Sequence, residues 1–301
     1  MSDKTDLSIK GESIQSLYGS YIKKIFLVNR RYQRKLVWTV EEKRAFIDSI
    51  INGYPVPLIL LAEVSTESGR KLEIIDGMQR MNAIMSFIDQ EFDLDGMYFN
   101  LETMADTKYL KDAGDIEQKG TPLERGICAE IVRYQIPLSV FQESSGSHID
   151  EVFRRLNSGG RHLSKQELRQ AGAISKFASI VRKLSSNIRG DSSAYDILDL
   201  NSMKNISITN RNLAYGISIE DIFWIKNNII NKEALRQSQD EEVIADIVAW
   251  VSTEKGLRSS SDILNQLYGF DVPDSEDSSL AASVEIQIQK KMKKILLMIS
   301  N

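Results

Sequence analysis

The hydrophobic rhythm of the chain changes near its middle. In the first half, Thr39-Val40-Glu41-Glu42 reads as a capping box, a hydroxyl followed three residues later by glutamate. It stands ahead of an apolar stripe at Phe46, Ile47, Ile50 and Ile51, which predicts a helix. Asn52-Gly53 ends that helix, and Pro55 and Pro57 keep it from resuming. Pro57 to Val64 is almost continuously apolar and predicts a buried strand. Ser65 to Arg70 is a polar turn containing Gly69, and Lys71 to Asp76 is the partner strand. From Gln79 a helix is predicted with Met81, Ile84, Met85 and Ile88 on one face. A later strand is expected around Tyr134 to Phe141. Pro137 has no N–H to donate, which predicts a place near a sheet edge.

The second half has helical periodicity. Ser164-Lys165-Gln166-Glu167 is a further capping box, and one helix is expected to continue through Leu168, Ala171, Val181 and Leu184. More helical stretches are expected at 219–230, 241–253 and 283–298, with an acidic polar loop at 271–279. The change of pattern falls at Asn157-Ser158-Gly159-Gly160. The expected organisation is a mixed α/β domain over residues 1–160 and a helical domain over 161–301, an α+β fold class.

Composition narrows the function classes. The 301 residues are 42% hydrophobic and 27% charged, ordinary for a chain that buries a core. The one cysteine, Cys128, forms no internal disulfide, which points to a reducing compartment. Met1 to Gln15 lacks an apolar signal core, and Leu58 to Ala62 is far below the roughly 20 residues that cross a bilayer. A cytoplasmic protein without membrane contact is expected. One cysteine and two histidines, His148 and His162, cannot build a zinc finger or a Cys/His metal cluster. GxxxxGK[ST], GxSxG and HExxH are all absent, and no repeat of fixed period is found.

Charge is unevenly spread beneath a net of −4. Residues 21–50 carry eight basic against three acidic residues, and 151–190 carry nine against two. Between them, 89–117 carry nine acidic against two basic residues. The pattern suggests a polarised surface with anion contact on one side, or simply solvated helix faces.

Three segments have the residues for phosphate chemistry. The first is Ile74-Ile75-Asp76-Gly77-Met78-Gln79-Arg80, a strand running through a glycine turn into a helix. Unpaired N–H groups at a helix start favour an anion, and Gly77 allows both the turn and close approach of a ligand. In that setting Asp76 would hold a metal ion or orient water, Gln79 would position the water, and Arg80 would grip a phosphate with its planar fork. The alternative is that Asp76 only caps the helix and pairs with Arg80. The second segment, Arg30 to Trp38, packs four basic residues, Arg30, Arg31, Arg34 and Lys35, with two aromatics, Tyr32 and Trp38, which suits phosphate contact and base stacking. Alternatively, Tyr32 and Trp38 are core or rim residues. In the third, Val152 to Arg161, Arg154 and Asn157 precede a glycine pair whose N–H groups can form an anion nest; a plain helix–loop–helix connection explains it equally.

Taken together and in this order, the segments resemble the N-terminal domain of GmrSD-type restriction endonucleases, a family related to the ParB/sulfiredoxin-like fold. That family's pattern is "YQR…W", "IPxI", "DGQQR" and "FxxxNxGGxxLxxxEL". This chain has Tyr32-Gln33-Arg34 with Trp38, Val56-Pro57-Leu58-Ile59, Asp76-Gly77-Met78-Gln79-Arg80, and Phe153 to Asn157 with Gly159-Gly160, Leu163 and Glu167-Leu168. The resemblance covers roughly residues 20–175. It implies a ParB-like α/β core with a helical extension. It further implies that the "DGQQR" junction handles a nucleoside triphosphate, whose hydrolysis is linked to restriction of modified or foreign DNA. Met78 departs from the pattern, replacing its first glutamine. With only two histidines no HNH-type nuclease site can be assembled, so DNA cleavage by this chain alone is not expected.

The resulting expectation is a Mg2+-dependent nucleoside triphosphatase of a phage-defence system. Asp76, Gln79 and Arg80 would be catalytic, and Asp76 would also hold the metal. Tyr32, Gln33, Arg34, Gly77, Arg154 and Asn157 would bind nucleotide or phosphate. Expected partners are the nucleotide, DNA and a separate nuclease subunit. The alternatives are a non-catalytic nucleotide or DNA sensor that regulates that nuclease, and an interaction scaffold whose basic faces serve only solubility.

Overall fold

The computed structural model describes residues 8–30, 35–67, 69–142, 164–170, 173, 175–191, 196–206, 208–209, 216–252 and 260–269. The chain divides into two compact units, one of Met1–Ile149 with Tyr195–Ser218 and one of Asp150–Ala194 with Ile219–Asn301. The class is α+β.

In the first unit the elements run β1 (Ser8–Ser13), α1 (Ile14–Ile22), β2 (Phe26–Asn29), α2 (Val40–Ile51), β3 (Ile59–Thr66), β4 (Gly69–Asp76) and α3 (Met78–Ile88). They continue as β5 (Met97–Tyr98), α4 (Ala105–Ala113), β6 (Thr121–Pro122), α5 (Arg125–Arg133), β7 (Gln135–Gln142) and β8 (Ile197–Asp199). Six strands form a mixed sheet in the order β1-β7-β3-β4-β2-β8. β3 and β4 are the antiparallel hairpin expected from the sequence. β7 runs parallel to β3 and antiparallel to β1, while β2 runs parallel to β4 and antiparallel to β8.

Periodicity accounts for the central elements. The capping box at Thr39 is closed in both directions: Glu42 N–H donates to Thr39 Oγ1 at 3.1 Å, and Thr39 N–H to Glu42 Oε2 at 2.7 Å. Ile47 and Ile50 are buried, and Phe46 and Ile51 pack beside them. The four apolar residues expected on one face of α3 all lie in the core. β3 reads as a continuous apolar run because both of its faces are covered: Ile59 and Leu61 join the main core, and Leu60, Ala62 and Val64 are also buried.

Three readings of the chain need correction. β7 is an interior strand, not an edge. Its partnership with β3 begins at Leu138, one residue beyond Pro137, so at the proline only β1 lies alongside. The long helix expected from Ser164 is two helices, Lys165–Gln170 and Lys176–Arg189, because Ser175 caps a fresh start by accepting from Ala178 N–H at 3.1 Å. Between 219 and 230 only Phe223–Lys226 is helical, and Asn228 turns left-handed just after it at φ 54°. Helix Gln239–Ser252 agrees with expectation, whereas 271–279 and 283–298 lie outside the described residues.

Much of the charge is internal. In the second unit Arg169 donates to Asn265 Oδ1 (2.9 Å), Glu242 Oε1 (2.9 Å) and Ser261 Oγ (2.8 Å). Arg189 is buried against Asp240 at 2.5 Å and Glu241 at 3.2 Å. In the first unit Tyr18 and Tyr21 hydroxyls donate to the half-buried Asp89 at 2.7 and 3.0 Å, which ties α1 to the end of α3. The charge runs of the sequence are therefore partly interior pairs and not one continuous surface. Among the described residues, no helix is long and apolar enough to cross a membrane.

Lys43 joins α2 to α3 by donating to Ser86 Oγ at 3.2 Å from a buried position. Burial lowers its pKa from 10.5 to about 8, against the raising effect of Glu91. Between those values the unfolded chain holds the proton that the folded chain has released, so stability increases as pH rises from about 8 to 10. Above 10 the opposite sign takes over: burial raises the Tyr18 and Tyr21 hydroxyl pKa values, so unfolded tyrosines ionise first and stability falls. Urea midpoints from pH 7 to 11 should show this maximum, and Lys43→Met should abolish its rising limb.

Candidate functional site

The candidate site begins at a fault in the sheet. The β3–β4 register runs Leu61 opposite Ile74 and then Leu60 opposite Asp76, leaving one extra residue in β4. Without that bulge Asp76 would stand opposite Ile59, a core residue. With it, the Asp76 side chain is 56% exposed at the strand end.

Gly77 follows in a left-handed conformation, φ 101°, and occupies the N-cap of α3. No side chain caps this helix, so Asp76 does not serve as its N-cap. Among the described residues the first N–H groups of α3 are thus left without an intrahelical or side-chain partner. A Cβ on Gly77 would come within 2.8 Å of Ile59 Cγ1 and 3.2 Å of Arg80 Nη2, so the backbone lies flush against both.

The Arg80 side chain is 15% exposed and lies across the junction. Its Nη2 donates to Asp76 Oδ2 at 2.7 Å and to the Leu58 carbonyl at 3.0 Å. Its Nε is buried with no hydrogen-bond partner among the described residues. The expected Asp76–Arg80 pair is real, and it also fastens the entrance of β3 to the start of α3.

Gln79 points elsewhere than the sequence suggested. Its Oε1 accepts from the N–H groups of Val37 (3.0 Å) and Trp38 (3.2 Å), and its Nε2 donates to the Lys35 carbonyl at 3.0 Å. The amide thereby holds residues 35–38 against α3. On the other side of that segment, Ile208 N–H donates to the Leu36 carbonyl at 3.1 Å. The chain directly after Arg34 is in this way brought to the Asp76–Arg80 junction. Trp38 packs edge-on against Phe46, with ring centroids 5.5 Å apart, and so belongs to the rim. Met78 is buried in the core.

Of the residues expected here, Asp76, Gly77, Gln79 and Arg80 come together. Tyr32, Gln33, Arg34, Arg154 and Asn157 lie outside the described residues. Sequence reasoning missed the Leu58 carbonyl and the clamping role of Gln79. A backbone acceptor has no sequence signal, and a glutamine one turn into a helix gives none for the distant strand it will hold. Among the described residues no three His, Cys, Asp or Glu side chains gather as a metal cage. Asp76 fits only a cation that draws its other ligands from phosphate and water, as Mg2+ does.

Two outcomes test this geometry. Gly77→Ala forces a left-handed alanine into Ile59 and should destabilise the protein by about 2 kcal/mol or more in urea unfolding. Gln79→Ala frees two amides and a carbonyl; hydrogen exchange should then show lost protection at Val37 and Trp38 while the middle of α3 stays protected.

The model of the GmrSD restriction endonuclease N-terminal domain matches residues 14–174 of this chain. That match reaches from α1 through the bulge, the glycine turn and the Gln79 clamp to helix Lys165–Gln170 of the second unit, more than half of the 301 residues. No curated protein matches the chain. On that match, and with the motif residues assembled at one junction, the chain belongs to the GmrSD restriction endonuclease N-terminal domain family.

Proposed function

We propose that the chain binds a nucleoside triphosphate at the Asp76–Arg80 junction, hydrolyses it with Mg2+, and acts within a restriction system against foreign or modified DNA. The restriction setting rests on the family. The nucleotide reading rests chiefly on one observation: the Arg80 guanidinium is held at an uncapped helix start with its buried Nε unpartnered. A buried donor without an acceptor costs about 1–3 kcal/mol, and a turn of the guanidinium that brings Nε to an anionic oxygen would recover that cost. The helix N–H groups favour the same ligand.

Arg80 would neutralise charge that develops on the phosphates, and Asp76 together with phosphate oxygens would hold Mg2+. When bound, the ion polarises the phosphoryl group and screens its charge. Gln79 acts as a positioning residue, fixing the segment after Arg34 so that Tyr32, Gln33 and Arg34 can supply further phosphate contact. With two histidines in the chain, cutting of DNA would fall to a separate nuclease subunit.

One observation favours a second reading, nucleotide or DNA binding without turnover: the Gln79 amide is taken up by backbone groups, and Met78 offers no polar atom. Hydrolysis assays on the purified protein with Mg2+ separate the two. Arg80→Ala is expected to lower turnover about 10²–10³-fold, and Asp76→Ala to lower it and its Mg2+ dependence together. Unchanged turnover in both variants rejects the site. Tight nucleotide binding without product in the wild type selects the sensor.

A further inference from the structure

The loop between α2 and β3, Asn52 to Leu58, lies at the same end of the sheet as Asp76. Its last carbonyl, that of Leu58, accepts from Arg80. Its other end is held by two bonds: Tyr54 N–H donates to the Ser49 carbonyl at 2.9 Å, and the Tyr134 hydroxyl donates to the Tyr54 carbonyl at 2.7 Å. Tyr134 directly precedes β7, which pairs with the start of β3 from Leu138 onward. Pro55 and Pro57 each fix a backbone angle between these anchors.

On this fixed loop Tyr54 is 59% exposed and takes no part in the core. A rigid loop that presents an aromatic face to solvent is organised before any ligand arrives, so little entropy is lost on stacking. Tyr54 and Leu58 are four residue steps apart, a reach of at most about 14 Å when extended. That is comparable with the length of a ribose carrying a triphosphate.

We propose that Tyr54 is the base platform of this site: the ligand is a nucleotide whose phosphates lie at Arg80 and whose base stacks on the Tyr54 ring. This inference rests on the nucleotide reading above and adds the source of its preference for a nucleoside over a bare polyphosphate. Stacking on an aromatic tolerates any base, because every base has a π-face. Tyr54 by itself therefore sets nucleoside binding and does not choose the base.

The test uses calorimetric titration of the full chain with each of the four ribonucleoside triphosphates, and with inorganic tripolyphosphate, all with Mg2+. Tyr54→Ala is expected to weaken nucleotide binding about 5- to 150-fold while tripolyphosphate affinity stays at the wild-type value. Tyr54→Phe retains the ring and should bind as the wild type does. The unfolding temperature of Tyr54→Ala should be unchanged, since the anchoring bonds use the Tyr54 backbone. Undiminished nucleotide affinity in Tyr54→Ala, or an equal loss for nucleotide and tripolyphosphate, overturns the platform and leaves the phosphate site standing. A wild type that binds neither ligand overturns the nucleotide reading and the platform with it.

Discussion

A single side-chain amide organises the centre of this molecule. Gln79 satisfies three backbone groups of a segment more than forty residues earlier in the chain. That segment belongs to no strand or helix of its own, so without the amide its polar groups would lack secondary-structure partners. The clamp also sets an order of dependence. α3 must start at Met78 for Gln79 to face the segment, and it starts there because Gly77 adopts a conformation in which a Cβ would strike Ile59. The glycine in turn sits where the bulge in β4 delivers it. Bulge, glycine and clamp are consecutive along the chain and act as one unit.

Arg80 completes that unit from the other side. Its bond to the Leu58 carbonyl fixes the entry of β3 to the helix start, and its bond to Asp76 joins strand end to helix. Four neighbouring positions thus have distinct tasks. Asp76 presents a half-exposed carboxylate, Gly77 lets Ile59 and Arg80 close against the backbone, Gln79 holds a distant segment, and Arg80 presents a cation whose Nε has no partner among the described residues. A motif in which adjacent residues face such different surroundings tolerates little exchange. Position 78 is the exception: it faces the core, and methionine, flexible and apolar, fills such a place readily.

Local pattern made the centre of the fold legible. The capping box at Thr39, the hairpin and the apolar face of α3 each depend on residues within one or two turns of one another, and each is found. Features set by distant partners had no local trace. β1 is a polar, mostly exposed segment that becomes a strand only through pairing with β7. β8 adds an edge from a region whose neighbours are helical. Pro137 reads as an edge residue because the missing N–H is visible in sequence, while the point at which β3 begins to pair is not. The arginines of the second basic block read as surface charge, yet Arg169 and Arg189 lie inside a helical unit, matched by carboxylates far along the chain. At the site, the identity of the four residues was visible; the direction of Gln79 depended on a partner that no spacing rule names.

The return of residues 195–218 to the first unit has a consequence for how the family-matched region stands as a folding body. Leu200, Met203 and Ile206 fill the same core as α1 and α3, and β8 covers the outer edge of β2. A chain cut after residue 174 would retain every motif of the candidate site yet lose three core side chains and bare a hydrogen-bonding strand edge, open to pairing with other molecules. The second unit is interrupted in the same way, since it consists of stretches before and after the returning segment. Neither unit can be released by a single cut, and their folding is coupled through chain connectivity.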